Sequence, residues 1–207
     1  MTVLAPLPVF IPLLAAALMA VIAGRLERRI AETVSIATAV ASTALSLALL
    51  FSSIGAPNVY WFSGWRPRHG IAIGVSFSID PIGAGAAAMV GVLVTFAFLF
   101  AWHYFEETVG HRFHILMLVF LGGMTGFALT GDLFNLFVWF ELMSVAAYAL
   151  TGYEIERPSA VQGGLNFGII NTIGSFALLL GIGLVYGRTG ALNLVQIGDA
   201  LAGGPGD

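Results

Sequence analysis

Glu141 stands near the middle of an apolar run, residues 133–150, directly after Leu136-Phe137-Val138-Trp139-Phe140. A run of that length can cross a bilayer. A charged side chain near its centre costs about 3 kcal/mol on insertion scales and is rarely kept without a use. On a helix, residues three, four and seven apart share a face. Ser144 and Tyr148 therefore join Glu141 on one face, with Phe134, Phe137 and Val138 completing it. A carboxyl that can take up and release a proton, with hydroxyls one and two turns away, is the chemistry of a proton path. The competing reading is a permanently protonated glutamic acid that glues helices together. Position alone favours the proton carrier.

The next apolar run adds Asn166, Asn171, Thr172 and Ser175. Asn171 and Ser175 are i, i+4 neighbours that could hydrate a path, although interhelical hydrogen bonding is the plainer role for all four. The histidines are His69, His103, His111 and His114. His111-x-x-His114, with Glu106 and Glu107 nearby, is weak support for a metal site, and a loop-and-interface role is preferred. His114, at the mouth of a helix, is a candidate for proton entry. Glu154, Glu156 and Arg157 read as a solvated loop. Asp80-Pro81 reads as a helix N-cap followed by proline at the first helical position rather than an ion site. Asp132 is placed to cap the helix that carries Glu141.

The elements that must position these residues follow from composition. The 207 residues are 58% hydrophobic and 9% charged, with mean hydropathy +0.95, whereas soluble domains carry about 25% charged residues. The reading is an all-α polytopic membrane protein with about six spans: 4–23, 34–51, 82–102, 115–130, 133–150 and 165–186. Only Gly131-Asp132 separates the fourth from the fifth, so a tight turn is required. Residues 52–79 form the longest non-helical stretch, with Trp61 and Trp65 suited to an interfacial belt. Ile71, Ile73, Val75, Phe77 and Ile79 alternate there with small or polar residues, predicting a short strand or hairpin. Gly164, Gly168 and Thr172 step by four, as do Gly83, Ala87 and Gly91, giving small faces for close helix approach.

There is no cysteine, so no disulfide, thiolate metal site or iron–sulfur cluster can come from this sequence. Nothing resembles a nucleotide-binding glycine motif, no redox cofactor or metal is expected, and a net charge of −3 points to no nucleic-acid partner. All eight basic residues are arginine. The first apolar run lacks a basic region ahead of it and reads as a membrane helix, not a signal peptide. Arg25, Arg28, Arg29, Arg112 and Arg157 fall in alternate loops, against Arg66, Arg68 and Arg188 on the other side. That excess predicts both termini outside, in an inner (plasma) membrane. Residues 188–207 read as a short polar tail.

The segment Leu129-Thr130-Gly131-Asp132-Leu133-Phe134-Asn135-Leu136-Phe137-Val138-Trp139-Phe140-Glu141-Leu142-Met143 resembles the fifth helix of the antiporter-like subunits of respiratory complex I and of the Mrp-type cation/proton antiporters, nearest the D-type Mrp subunit. Leu7-Pro8-Val9-Phe10-Ile11-Pro12-Leu13, Phe77-Ser78-Ile79-Asp80-Pro81 and Leu184-Val185-Tyr186-Gly187-Arg188-Thr189-Gly190-Ala191-Leu192-Asn193 are weaker matches, and together the resemblance spans the sequence. It implies that Glu141 belongs to the proton-translocating route. It also implies about fourteen helices with two inverted repeats and broken helices near the midplane, and a glutamate that pairs with a lysine on another helix. Here Asn166 stands where many relatives carry a lysine early in the sixth helix, and the sequence contains no lysine. The resemblance divides the chain into N-terminal helices one to four (1–130, with outer loop 52–79), the start of the translocating module (131–187) and the tail (188–207). It makes the chain the N-terminal six-helix portion of such a protein. The implied partners are other membrane subunits of an antiporter or respiratory complex and the lipid bilayer. The alternative is a non-translocating structural subunit anchored by a protonated Glu141.

Overall fold

The computed structural model describes residues 4–23, 27–64, 74–104 and 111–203. Seven helices and a two-stranded sheet follow in the order α1 (Leu7–Ile22), α2 (Arg28–Ser53), β1 (Asn58–Trp61), β2 (Ser76–Ile79), α3 (Pro81–Tyr104), α4 (Arg112–Leu129), α5 (Leu133–Thr151), α6 (Pro158–Thr189) and α7 (Leu194–Ala202). From α2 to α6 all five helices are long and apolar enough to span a membrane, while α1 has 16 residues. A 16-residue helix is about 24 Å long, short of a full hydrocarbon core. The chain is an all-α polytopic membrane protein with a small antiparallel hairpin after its second helix.

Helices α1, α2, α3 and α4 pack on one another, α5 packs on α4, and α6 packs on α5. Close approach comes from small residues. A Cβ on Gly83 would sit 2.6 Å from the Ala128 carbonyl oxygen, Ala87 is fully buried, and Gly91 lies against Thr43. The Gly83-Ala87-Gly91 face thus holds α3 against both α4 and α2. The apolar core has two centres. One joins Met19, Ala39, Val94, Phe98, Leu118 and Leu121; the other joins Val9, Leu49, Phe77, Ile79, Ala87 and Leu129. Phe77 is completely buried, and burying such a side chain stabilises by roughly 1.5–3 kcal/mol. Strand β2 is covered on both faces, because Ser76 is buried along with Phe77 and Ile79. Trp65, Ile71, Ile73, Arg66, Arg68 and His69 lie outside the described residues, as do Arg25, Glu106 and Glu107.

Both expected acidic caps form. Asp80 Oδ1 accepts from the backbone N–H of Ile82 and of Gly83, each at 2.9 Å. Asp132 accepts from Asn135 N–H at 2.8 Å. Helix α7 lies within residues 188–207, where no helix is expected from the sequence. It begins at Asn193, whose Oδ1 accepts from Val195 and Gln196 N–H.

Candidate functional site: an intramembrane carboxyl between two helices

The turn that launches α5 is tied from three directions. Gly131 N–H donates to the Ser76 carbonyl in β2, Leu133 N–H to Leu192 O, and Leu194 N–H to Gly131 O. The buried Asn193 amide donates to Gly131 O at 3.1 Å and to Ser76 Oγ at 3.2 Å. Hairpin, α4–α5 turn and α6–α7 connection therefore form one hydrogen-bonded knot. Helix α5 leaves it with its axial position fixed, two to three turns before Glu141. Burial pushes the Asp132 carboxyl above the ordinary carboxylate range, outweighing the backbone N–H groups of Asn135 and Phe134 that favour its charge.

Helix α5 lies between α4 and α6. Towards α4, Trp139 and Met143 press on glycines: a Cβ on Gly126 would meet the Trp139 ring at 2.5 Å, and one on Gly123 would be 3.0 Å from the Met143 backbone. Towards α6, a Cβ on Gly164 would lie 3.0 Å from Gly152 Cα, and Gly168 faces the Tyr148 ring. One turn further, the buried Ser144 hydroxyl donates to Asn171 Oδ1 at 3.2 Å. Continuing this antiparallel register by one more turn sets the buried Ser175 level with Glu141. On the α4 side, the same reasoning from Gly123–Met143 and Gly126–Trp139 sets Thr125 at that depth.

Glu141 is half-buried, and its Oε1 is fully enclosed without a hydrogen-bond partner. Thr125 Oγ1 and Trp139 Nε1 are in the same condition. Buried polar atoms are normally paired with protein or water. Here an acceptor, a hydroxyl and an N–H donor, all near one depth of the bundle, have unused capacity. Such a layer suits ordered water.

The structure brings Ser144, Tyr148, Asn171 and Ser175 to the α5–α6 seam that carries Glu141. It separates the other two candidates. Asn166 is exposed on α6, as is Thr172, which turns its hydroxyl back to Gly168 O. His114 is buried in the first turn of α4, stacked on Phe98 at 5.6 Å and beside Phe113, whose ring meets Tyr153 at the far end of α5. By helix rise that is about 16 Å from the Glu141 level. A buried acid not expected from the sequence lies there: Glu32 in α2 is 4% exposed and accepts from Arg28 Nε at 2.7 Å. The i, i+4 spacing of Arg28 and Glu32 is the only sequence sign of it, and that spacing is equally common on solvated helix faces. Among the described residues no three metal-ligating side chains converge.

Fold and seam together define a multi-pass helical membrane protein with an orphaned acid inside one of its spans. Residues 130–206 match the family described as "NADH:quinone oxidoreductase/Mrp antiporter, TM". A probable D-type K(+)/H(+) antiporter subunit of Rhizobium meliloti is 32% identical over 205 residues, 95% of this chain and 36% of that protein. Among solved structures, the archaeal membrane-bound sulfane sulfur reductase contains a chain that superposes with a TM-score of 0.81 at 29% identity, over 95% of this chain and 39% of that one. A chain of the Mrp complex from Dietzia sp. superposes at 0.80 with 26% identity, over 98% and 40%. Residues 130–206 carry the transmembrane domain shared by the NADH:quinone oxidoreductases and the Mrp antiporters, and the likeness to antiporter-like membrane subunits extends over nearly the whole chain. The chain spans well under half the length of these relatives.

Proposed function

We propose that the chain is a subunit, or part of one, of a multisubunit proton-translocating complex in an inner (plasma) membrane, either Mrp-type cation/proton antiporter or NADH:quinone oxidoreductase-like, and that Glu141 is its intramembrane proton carrier. The observation that carries this reading is the unpartnered Oε1 of Glu141, enclosed within a span at the depth of two other unpartnered polar groups, Thr125 Oγ1 and Trp139 Nε1. Ser144, Tyr148, Asn171 and Ser175 line the adjoining seam and hold water against the carboxyl. A proton reaches Glu141 through that water, neutralises it, and leaves when the carboxyl faces the next group on the route. The family pairs such a glutamate with a lysine. This sequence has none, so that lysine comes from outside these residues. Asn166, on the outer face of α6, meets the neighbouring membrane segment. Arg28, Arg29, Arg112 and Arg157 mark the cytoplasmic end of the bundle, with the N-terminus on the opposite side. The chain contributes no redox cofactor, and its partners are other membrane subunits.

The test is Glu141→Gln in the assembled complex, reading proton-coupled transport and subunit assembly separately. Glutamine keeps the hydrogen-bonding shape and removes the titration. Assembly retained with transport lost is the expected result. Transport retained overturns the reading, and loss of assembly points instead to a protonated structural anchor.

A further inference from the structure

Asn193 is buried, and its side-chain amide uses its full hydrogen-bonding capacity. Oδ1 accepts from Val195 and Gln196 N–H at 3.1 and 3.4 Å, which starts α7. Nδ2 donates to Gly131 O at 3.1 Å and to Ser76 Oγ at 3.2 Å. One residue therefore caps a helix and ties two segments that lie 62 and 117 positions away in sequence. The chain is turned towards this point by Gly190, left-handed at φ 66°, whose N–H donates to Tyr186 O and ends α6. Backbone bonds flank the amide on both sides, Leu133 N–H to Leu192 O at 2.9 Å and Leu194 N–H to Gly131 O at 3.1 Å. Gly131 is tightly enclosed, since a Cβ there would lie 2.8 Å from Ser76 Oγ.

We propose that Asn193 is a positioning residue for Glu141, fixing the axial offset of α5 against α6. The two helices run antiparallel, so the knot at Asn193 joins the start of α5 to the end of α6. The Ser144–Asn171 bond, at 3.2 Å, joins them again further along. Glu141 lies between these two fastenings, about 12 Å into α5 and one turn short of Ser144. Between them Ser175 turns its hydroxyl back to Thr172 O instead of crossing the seam. A hydrogen bond weakens steeply off its line, so a tie at each end holds the carboxyl level with one turn of α6. Loss of the Asn193 tie leaves the seam fastened at one end only, and α5 slides. The inference rests on the proposed role of Glu141 for its use in transport; the offset itself rests on the hydrogen bonds alone.

The experiment compares Asn193→Asp with the unaltered chain in the assembled complex. Aspartate keeps an acceptor for the α7 cap and removes both donors. Ser76→Ala cuts the tie from the other side and serves where Asn193→Asp fails to fold. The offset is read by the rate of disulfide formation in Ser144→Cys/Asn171→Cys, the chain having no native cysteine. The surroundings of Glu141 are read separately, without the cysteine pair, from its infrared carboxyl band, assigned with Glu141→Gln. Cross-linking should slow severalfold and the Glu141 band should be displaced, with assembly retained. A purely structural role for Asn193 would lower assembly and leave the band of the assembled fraction in place. Unchanged cross-linking overturns the proposal, and so does a band that stays in place while cross-linking slows. A band that keeps one protonation state in the unaltered chain, in acid and alkaline buffer alike, counts against the proton-carrier reading; its position and the cross-linking rate still decide the role of Asn193.

Discussion

Ser144 and Asn171 make the one side-chain hydrogen bond across the α5–α6 seam among the described residues. Interhelical hydrogen bonds of this kind contribute about 0.6 kcal/mol on average in membranes. Ser144→Ala and Asn171→Ala should each destabilise the bundle, and a double-mutant cycle by unfolding from detergent should return a coupling of about that size. A coupling of zero would mean that Ser144 acts through packing alone. Asp132 poses a different question, because burial raises its carboxyl above the ordinary range despite the N–H groups it caps. The folded state then holds that proton more tightly than the unfolded chain. Its contribution to stability is full below the unfolded value, about pH 4, and is lost as pH rises through the raised folded value. Thermal unfolding as a function of pH should show this loss, and Asp132→Asn, which keeps an acceptor for the cap, should flatten it. At this scale the sequence was informative where one residue acts on its own backbone: the caps at Asp80 and Asp132 follow from Asp-Pro and Gly-Asp ahead of apolar runs. It was uninformative for Glu32, because an Arg–Glu pair one turn apart looks the same whether the helix face is wet or buried.

Elements depend on how closely backbones approach. Gly126 leaves no room for a methyl group against the Trp139 ring, and Gly164 would take one only if the Gly152 backbone gave way by a few tenths of an ångström, whereas Gly174 on the same α6 has nothing within 4 Å. Gly126→Ala and Gly164→Ala should each cost about 1–3 kcal/mol, the range for overpacking. Gly174→Ala should be tolerated or slightly stabilising, since alanine is the better helix former. Equal effects at all three would contradict the seam geometry. The sequence marked Gly164 and Gly168 as a small face but carried Thr172 along with them, although Thr172 turns outward. A step of four drifts around a 3.6-residue helix, so the third member leaves the contact. Helix α7 escaped detection because nine residues fall below the length at which periodicity is informative. Its placement depends on Asn193 reaching Gly131 and Ser76, contacts too distant in sequence to anticipate.

Over the whole molecule, the long α6 packs chiefly on α5 among the described spanning helices and leaves Ile170, Ile173, Phe176, Leu180 and Leu184 each about two-thirds exposed. In lipid that surface costs nothing, so its exposure does not itself name a neighbour. If further membrane segments of the proposed complex cover it, a cysteine at Ile173 should react several-fold more slowly with a membrane-permeant maleimide in the complex than in the isolated chain. The sequence has no native cysteine to confuse the reading. Equal rates would place the partner elsewhere. The order of spans and the hairpin were legible because hydropathy and alternation are properties of consecutive residues. Small-residue stripes marked some of the faces that meet, but not their partners, because the remaining faces of an all-apolar helix look alike.

The proposed role of Glu141 is to take up and give up a proton inside the membrane. Infrared difference spectroscopy of the assembled complex, between acid and alkaline buffer and with Glu141→Gln to assign the carboxyl band, tests it most directly. A protonated-carboxyl band at acid pH should give way to a carboxylate band at alkaline pH, both absent from the variant. A Glu141 band that keeps one protonation state in both buffers would contradict it and leave the residue as an anchor.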